Sequence, residues 1–334
     1  VPEIRQGEFP LVHAIRFHET GGPEVLRWEE VAVGKPGPGE VRIRHTAVGL
    51  NFVDIYQRSG LYAVPLPSGL GAEAAGIVDE VGPGVAEFKS GDRVAYGTAP
   101  LGAYSEARLI PADRLIKLPD AIDDNTAAAM MLKGLTVQYL IRQTYRVKSG
   151  DTILLHAAAG GIGLILAQWA KHLGATVIGT VGSDEKAALA KANGCEHVIV
   201  YTRENFVARV EEITGGKKVA AVYDSVGRDT FLKSLDCCAP LGIVVLFGQS
   251  SGAVDPLNLG VLAAKGSLFV TRPTLNTYGA RRENLVAMAQ DLFDVVASGA
   301  VRIQVHQTYP LQNAAQAHAD LAARKTSGST VLTV

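Results

Sequence analysis

Cysteine is scarce: three in 334 residues, at Cys195, Cys237 and Cys238. None forms a C-x-x-C pair, and neighbouring cysteines rarely bridge each other. A disulfide framework and a thiolate zinc site are both disfavoured, and the thiols read as small buried hydrophobes. Charge of one sign is lacking too. Lys plus Arg number 32 against 33 Asp plus Glu, a net charge of -1, so no general field draws the chain to nucleic acid or membrane. No apolar run approaches the ~18 residues that span a bilayer. The opening "VPEIRQGEFP" lacks the basic-then-apolar pattern of a signal peptide, and a cytoplasmic protein is expected.

What is present is a chain long enough for two domains, 47% hydrophobic and 19% charged. The first third alternates short apolar runs with Gly and Pro turns. "VHAIRFH", "EVRIRHTAVG", "AGIVDEVG" and "DRVAYG" read as strands of a β-rich domain. Tyr56 and Tyr62 read as loop residues after a strand. "LKGLTVQYLIRQTY" begins a helical pattern.

From Asp151 the texture changes. "DTILLH", "ATVIGT", "HVIVY", "VAAVYDSVG", "GIVVLFG" and "SLFVTRP" read as six strands, with helical stretches between most of them. Ile162, Ile165, Leu166, Trp169 and Leu173 fall at helical spacing. This alternation implies right-handed crossovers and a parallel sheet, so the fold class is α/β with a doubly wound Rossmann sheet beside the β-rich domain. Residues 281–299 return to helix and "GSTVLTV" closes as a strand. The last sixty residues are expected to rejoin the first domain.

"HAAAGGIG" follows a strand and opens a helix. It reads A-x-x-G-x-x-G, with Ala157 in the first glycine position. Gly160 admits a pyrophosphate and Gly163 admits close helix packing, while Gly161 and Ile162 open the helix. Free N–H groups and a positive dipole end favour phosphate there. A plain βα turn and an S-adenosylmethionine site are the alternatives. The second strand ends at Gly182-Ser183 with no carboxylate at its tip. That leaves room for a 2′-phosphate, with Lys186 one turn on, and favours NADPH over NADH. Asp184 would repel a phosphate if it pointed inward, and it reads instead as an N-cap.

"NFVDIYQRSGLY", "GAEAAGIVDEVG", "GDRVAY", "GAYSE", "LKGLTVQYL", "HAAAGGIG" and "VYDSVG" occur in this order. Together they resemble the zinc-free quinone oxidoreductases of the medium-chain dehydrogenase/reductase superfamily. The resemblance spans nearly the whole chain after the first dozen residues. It departs in the N-terminal extension and around "LYAVPLPSG", where a loop is short. It implies a GroES-like catalytic domain (1–133 and 272–334), a Rossmann NADP-binding domain (134–271), a cleft active site and a homodimer. It also implies that Asn51, Tyr56 and Tyr62, with Asp54 nearby, line the nicotinamide and quinone cleft. Lys133 and Thr136 fall where the chain crosses between domains and, with Asn51, would contact the dinucleotide. Gly182, Ser183, Lys186, Tyr201 and Arg324 would surround the 2′-phosphate. Phe247, Ser250, Thr271 and Arg272 would flank the nicotinamide half.

In zinc-bearing members the places of Asn51 and Ala72 resemble a ligating Cys and His. A catalytic zinc needs about three protein ligands, so no metal is expected. His45, His156, His172 and His197 show no i, i+4 pairing that would rescue a site. Hydride transfer from NADPH to a quinone is the expected reaction, because a quinone needs placement and donors rather than a Lewis acid. The residues leave open whether electrons reach it singly or in pairs. Reduction of an activated C=C bond is the second enzyme reading. A crystallin-like or RNA-binding protein, or a nucleotide sensor without turnover, is the third class, and the neutral charge argues against RNA. Glu73, beside Ala72, reads as a structural carboxylate paired beneath the cleft.

Overall fold

The computed structural model describes residues 10–334, so the reading of the first nine residues lies outside it. Eight strands come first: β1 (Leu11–Phe17), β2 (Arg27–Ala32), β3 (Glu40–Leu50), β4 (Ser68–Gly69), β5 (Ala74–Val81), β6 (Arg93–Tyr96), β7 (Ala107–Pro111) and β8 (Ile116–Lys117). Six follow: β9 (Thr152–Leu155), β10 (Thr176–Val181), β11 (His197–Val200), β12 (Val219–Asp224), β13 (Cys238–Leu246) and β14 (Phe269–Thr271). β15 (Val305–Pro310) and β16 (Ser329–Thr333) close the chain. The helices used below are α1 (Phe52–Arg58), α2 (Asp124–Tyr139), α3 (Gly161–His172), α4 (Asp184–Ala192), α5 (Phe206–Thr214), α6 (Phe231–Cys237), α7 (Gly260–Ala264), α8 (Leu275–Tyr278), α9 (Arg282–Ala297) and α10 (Ala314–Ala322).

The chain forms two compact units. Of the described residues, one unit holds 10–133, 279–289 and 303–334; the other holds 134–278 and 290–302. The sequence placed the return to the first unit at residue 272. The structure moves it to Gly279 and gives Gln290–Arg302 back to the second unit. The divisions at 133/134 and 289/290 fall inside the continuous helices α2 and α9, where no turn interrupts the chain.

In the first unit, β3 is the spine of a seven-stranded sheet. Its N-terminal half pairs β7, its C-terminal half pairs β16, and its other edge pairs β5. The register shifts between Arg42 and Ile43 and between His45 and Ala47, and such irregularities bend the strand. A second sheet runs β2-β1-β4. Ile15, Phe17, Ile43, Leu70, Ile110 and Leu332 anchor the core of this unit. The C-terminal end of β3 delivers the chain to Asn51 and α1.

In the second unit the six strands run in the order β11-β10-β9-β12-β13-β14, all parallel. The central runs β9, β10 and β12 are buried on both faces, as parallel strands between helices must be, while β14 at the edge is exposed. Leu154, Ile178, Ile199, Val222 and Val244 line one core. Trp169 of α3 is also fully enclosed. The strand order reverses between β9 and β12, and ligands of such sheets bind outside the carboxyl ends of the strands at that point. The three cysteines are free and buried. Burial pushes each thiol up to about 12. Among the described residues no helix is long and apolar enough to cross a membrane.

Candidate active site

Glu73 lies between β4 and β5 and is fully buried. A lone carboxylate there would be costly, because ionised groups lose hydration on burial. Three donors surround it. Lys133 Nζ donates to Oε2 at 2.7 Å, Asn51 Nδ2 donates to Oε2 at 2.7 Å, and the Leu132 N–H donates to Oε1 at 2.8 Å. The ammonium of Lys133 is itself buried. Gly49 makes the space: a methyl group on it would collide with Glu73 Oε2 and the Ala128 carbonyl.

The ion pair fixes Asn51. With its amide nitrogen on Glu73, the Asn51 side chain is held in one orientation. Its backbone N–H donates to Asp54 Oδ2 at 2.9 Å, which caps α1. α1 also corrects the loop reading of Tyr56. That residue sits on this helix, and its ring lies 5.1 Å from that of Tyr62, edge to face. The Tyr62 N–H donates to the Tyr56 carbonyl at 2.9 Å. Asn51, Asp54, Tyr56 and Tyr62 are thus gathered on one helix and the turn after it.

Asp54 is the unusual member. Its Oδ2 accepts from Asn51 and from the Tyr104 hydroxyl at 2.8 Å, while Oδ1 is buried without a hydrogen-bond partner. Burial pushes its carboxyl up to about 7, against the pull of those two bonds and of Lys133. Because Tyr104 donates to Asp54, His318 must donate from Nε2 to the Tyr104 oxygen, at 3.1 Å. The bare Nδ1 then accepts from Arg58 Nη1 at 3.3 Å. The imidazole is neutral: burial and the adjacent guanidinium of Arg58 hold it down at about 3. The result is a one-way donor chain, Arg58 to His318 to Tyr104 to Asp54. Sequence reasoning missed Arg58, Tyr104 and His318. Tyr104 stood in a quoted motif without a role, and nothing local ties it to a histidine 214 positions away.

The second unit carries the glycine turn as expected. β9 ends at Leu155, Gly160 is the N-cap and α3 begins at Gly161. Ala157 adopts φ 54°, a left-handed conformation that favours glycine and that this chain fills with alanine. A side chain at Gly163 would collide with the Ala157 and Ala158 carbonyls. The N–H groups of Gly161, Ile162 and Gly163 have no helix carbonyl behind them, which suits a pyrophosphate.

Beneath the turn lies a second buried polar cluster. Asp224 accepts from the Val226 N–H at 2.8 Å, the Gly227 N–H at 3.1 Å, Thr230 Oγ1 at 2.8 Å and Ser234 Oγ at 3.0 Å. Ser234 spends its proton within this cluster, so His156 donates to it from Nε2 at 3.0 Å and accepts from Thr180 at 2.9 Å. Burial lowers the His156 pKa and keeps it neutral.

At the β10 tip, Ser183 is the N-cap of α4 and accepts from the Lys186 N–H at 3.3 Å. The cap is therefore Ser183; Asp184, read as the cap from sequence, is the first helical residue. A Cβ on Gly182 would lie 2.8 Å from the Tyr201 hydroxyl. Gly182, Ser183, Lys186 and Tyr201 are so collected at two adjacent strand ends. Phe247 donates its N–H to the Asp224 carbonyl at 2.9 Å and Ser250 donates to the Ser225 carbonyl at 3.1 Å. Thr271 ends β14, and Arg272 Nη1 reaches the Leu246 carbonyl at 3.3 Å. All of these lie at or beyond the carboxyl ends of the parallel strands. Thr136 is buried on α2 in this unit. Lys133, expected near the dinucleotide, places its ammonium on Glu73, and Arg324 belongs to the first unit, where it follows α10 with φ 59°.

The model of a family described as an alcohol dehydrogenase GroES-like domain matches residues 37–120, and that of a zinc-binding dehydrogenase matches residues 161–290. A quinone oxidoreductase of Pseudomonas aeruginosa is 57% identical over 96% of this chain and 99% of its own length. This chain belongs to the quinone oxidoreductases of the medium-chain dehydrogenase/reductase superfamily. A solved Escherichia coli quinone oxidoreductase complexed with NADPH is 53% identical and covers 96% of this chain and 100% of its own, with a TM-score of 0.95. Another relative, a 2-haloacrylate reductase of a Burkholderia species, is 50% identical over 96% of this chain and 99% of its own. Among the described residues, the zinc named in one family model meets no matching donor set at the positions expected from the sequence. Positions 51 and 72 are Asn and Ala, and His45 is spent on the Ser105 carbonyl and the Tyr96 hydroxyl. Among the described residues no three His, Cys, Asp or Glu are grouped to hold a metal ion.

Proposed function

We propose that this protein is an NADPH:quinone oxidoreductase that works without a metal. The observation that carries the reading is the condition of Glu73. Its charge is matched by Lys133 and its second role is to hold the Asn51 amide, so the position is built to fix a hydrogen-bonding side chain. A quinone suits such a site. Its reduced oxyanion is delocalised and needs oriented donors rather than a Lewis acid.

Bound NADPH would supply the hydride. The α3 N-terminus and the Gly160–Gly163 turn would hold its pyrophosphate, and Gly182, Ser183, Lys186 and Tyr201 its 2′-phosphate. Arg324 stays a candidate for that phosphate on its charge. Phe247, Ser250, Thr271 and Arg272 would flank the nicotinamide half, with Lys133 and Thr136 on α2. Asn51, Tyr56 and Tyr62 would orient the acceptor, whose reduced oxygen takes its proton from water or a tyrosine hydroxyl. The test is NADPH oxidation with 1,4-benzoquinone and 9,10-phenanthrenequinone in chelator-treated buffer. Turnover with either is expected; inactivity with both, or dependence on added zinc, overturns the reading.

A second reading has the 2-haloacrylate reductase relative behind it. Reduction of an activated C=C bond needs the same hydride placement. Relative kcat/KM for 2-chloroacrylate, an alkenal and a quinone separates the two. We also place the protein in the cytoplasm as a homodimer. β14 is the last strand of its sheet and exposes Phe269 and Val270, an edge suited to pairing. Light scattering that gives a monomer mass at micromolar concentration would contradict the dimer.

A further inference from the structure

The NADPH reading leaves one charge unaccounted for. Asp184 opens α4, next to the Gly182-Ser183 tip. An unmatched carboxylate there would repel a phosphate dianion, and an acidic residue at the end of this strand is what suits the ribose hydroxyls of NAD. Asp184 is exposed but not unmatched. Arg203 meets it fork to fork, with Nη1 donating to Oδ2 at 2.7 Å and Nη2 donating to Oδ1 at 2.5 Å. Such a bidentate pair is geometrically specific in a way that a single lysine contact is not. The guanidinium holds the Asp184 carboxyl below the usual carboxylate range.

The backbone under Arg203 is tied to the same strand tip. The Tyr201 N–H donates to the Val181 carbonyl at 3.0 Å and the Thr202 hydroxyl donates to the Gly182 carbonyl at 3.3 Å. The Arg203 N–H donates to the Val200 carbonyl at 3.1 Å, and Glu204 Oε1 accepts from the Val200 N–H at 2.8 Å. The turn after β11 is therefore laced to the tip of β10, and the guanidinium projects from a braced segment.

We propose that Arg203 is a specificity-determining residue: by clamping Asp184 it turns the β10 tip from a ribose-diol site into one that accepts a 2′-phosphate. Arg203 acts through Asp184, as a positioning residue, and not as a phosphate ligand. The proposal rests on the NADPH reading and deepens it. Gly182, Ser183 and Lys186 leave room and charge for the 2′-phosphate, and the neighbouring ion pair, assembled from two different βα turns, neutralises the carboxylate that would repel it.

The test is a set of dissociation constants, read by nucleotide fluorescence for NADPH and NADH and by displacement for 2′,5′-ADP and 5′-AMP. Wild type, Arg203→Gln, Arg203→Lys, Asp184→Asn and the double Arg203→Gln/Asp184→Asn are compared at low salt. Arg203→Gln should lower the preference for NADPH over NADH by about tenfold and weaken 2′,5′-ADP but not 5′-AMP. Arg203→Lys should fall between, because it keeps the charge and loses the fork. The double variant should recover to within about twofold of wild type, because the charge that Arg203 masks is gone. An unchanged preference in Arg203→Gln overturns the proposal. So does a double variant that stays weak, which would make Arg203 a direct phosphate ligand. A wild type with no preference for NADPH defeats the cofactor reading itself, a result separable from the other two.

Discussion

Two buried carboxylates organise the two units, and they are satisfied in opposite ways. Glu73 in the β-rich unit has a cation, Lys133, plus one side-chain amide and one backbone N–H. Asp224 in the dinucleotide unit has two backbone N–H groups and two hydroxyls, with no cation among these donors. Many neutral donors can replace one opposite charge. The difference lies in what fails when a partner is lost. Glu73 depends on a single strong partner, whereas Asp224 spreads its dependence over four.

Removing Lys133 should therefore have the largest effect. Lys133→Met leaves Glu73 buried without its cation, a loss of about 3–5 kcal/mol in denaturant unfolding. Restoring most of that with Lys133→Met/Glu73→Gln would confirm that the stranded charge was the cost. Asp54 comes next, a buried carboxylate with two neutral donors on Oδ2 and none on Oδ1. Its unfolded pKa is near 4, and burial in the native state takes it to about 7. The native state thus binds the proton more tightly. That stabilisation is complete below about pH 4 and is lost as pH rises to about 7. The unfolding free energy of wild type should fall against that of Asp54→Asn by on the order of 4 kcal/mol across this window, then run parallel above it.

Ser234→Ala removes one donor of four and leaves the Nε2–H of His156 without its acceptor. A loss of about 1–3 kcal/mol is expected, with weaker NADPH binding as the turn above loosens. A loss as large as that of Lys133→Met would erase the contrast between the two carboxylates. The smallest effect is at Ala157, where φ is 54°. Ala157→Gly should stabilise by up to about 1 kcal/mol in thermal unfolding, since glycine carries no penalty there.

The dinucleotide unit was the more legible of the two. Its strand, glycine turn and helix are contiguous, and six apolar runs gave the parallel sheet and the strand ends where the site residues collect. Ala72 and Asn51 pointed to a site without ligands for zinc, and Glu73 was read as a paired structural carboxylate. Its partner lies 60 residues away, and nothing in local spacing names Lys133. The α1 segment was read as loop because "NFVDIYQRSGLY" has no long apolar period, and seven residues are too few to show one. The Asp54 chain was invisible for the same reason as the Glu73 pair, and its histidine sits on α10, far beyond any motif. The unit division inside α9 was hidden because a helical pattern runs straight through it.

The buried thiols carry a consequence for survival in use. Quinones arylate thiolates by conjugate addition, so a protein that turns them over works among reagents able to inactivate it. Cys195, Cys237 and Cys238 are enclosed, and at neutral pH burial keeps them protonated. The thiol, unlike the thiolate, is a poor nucleophile. While folded, this chain offers its own substrate class no cysteine to attack.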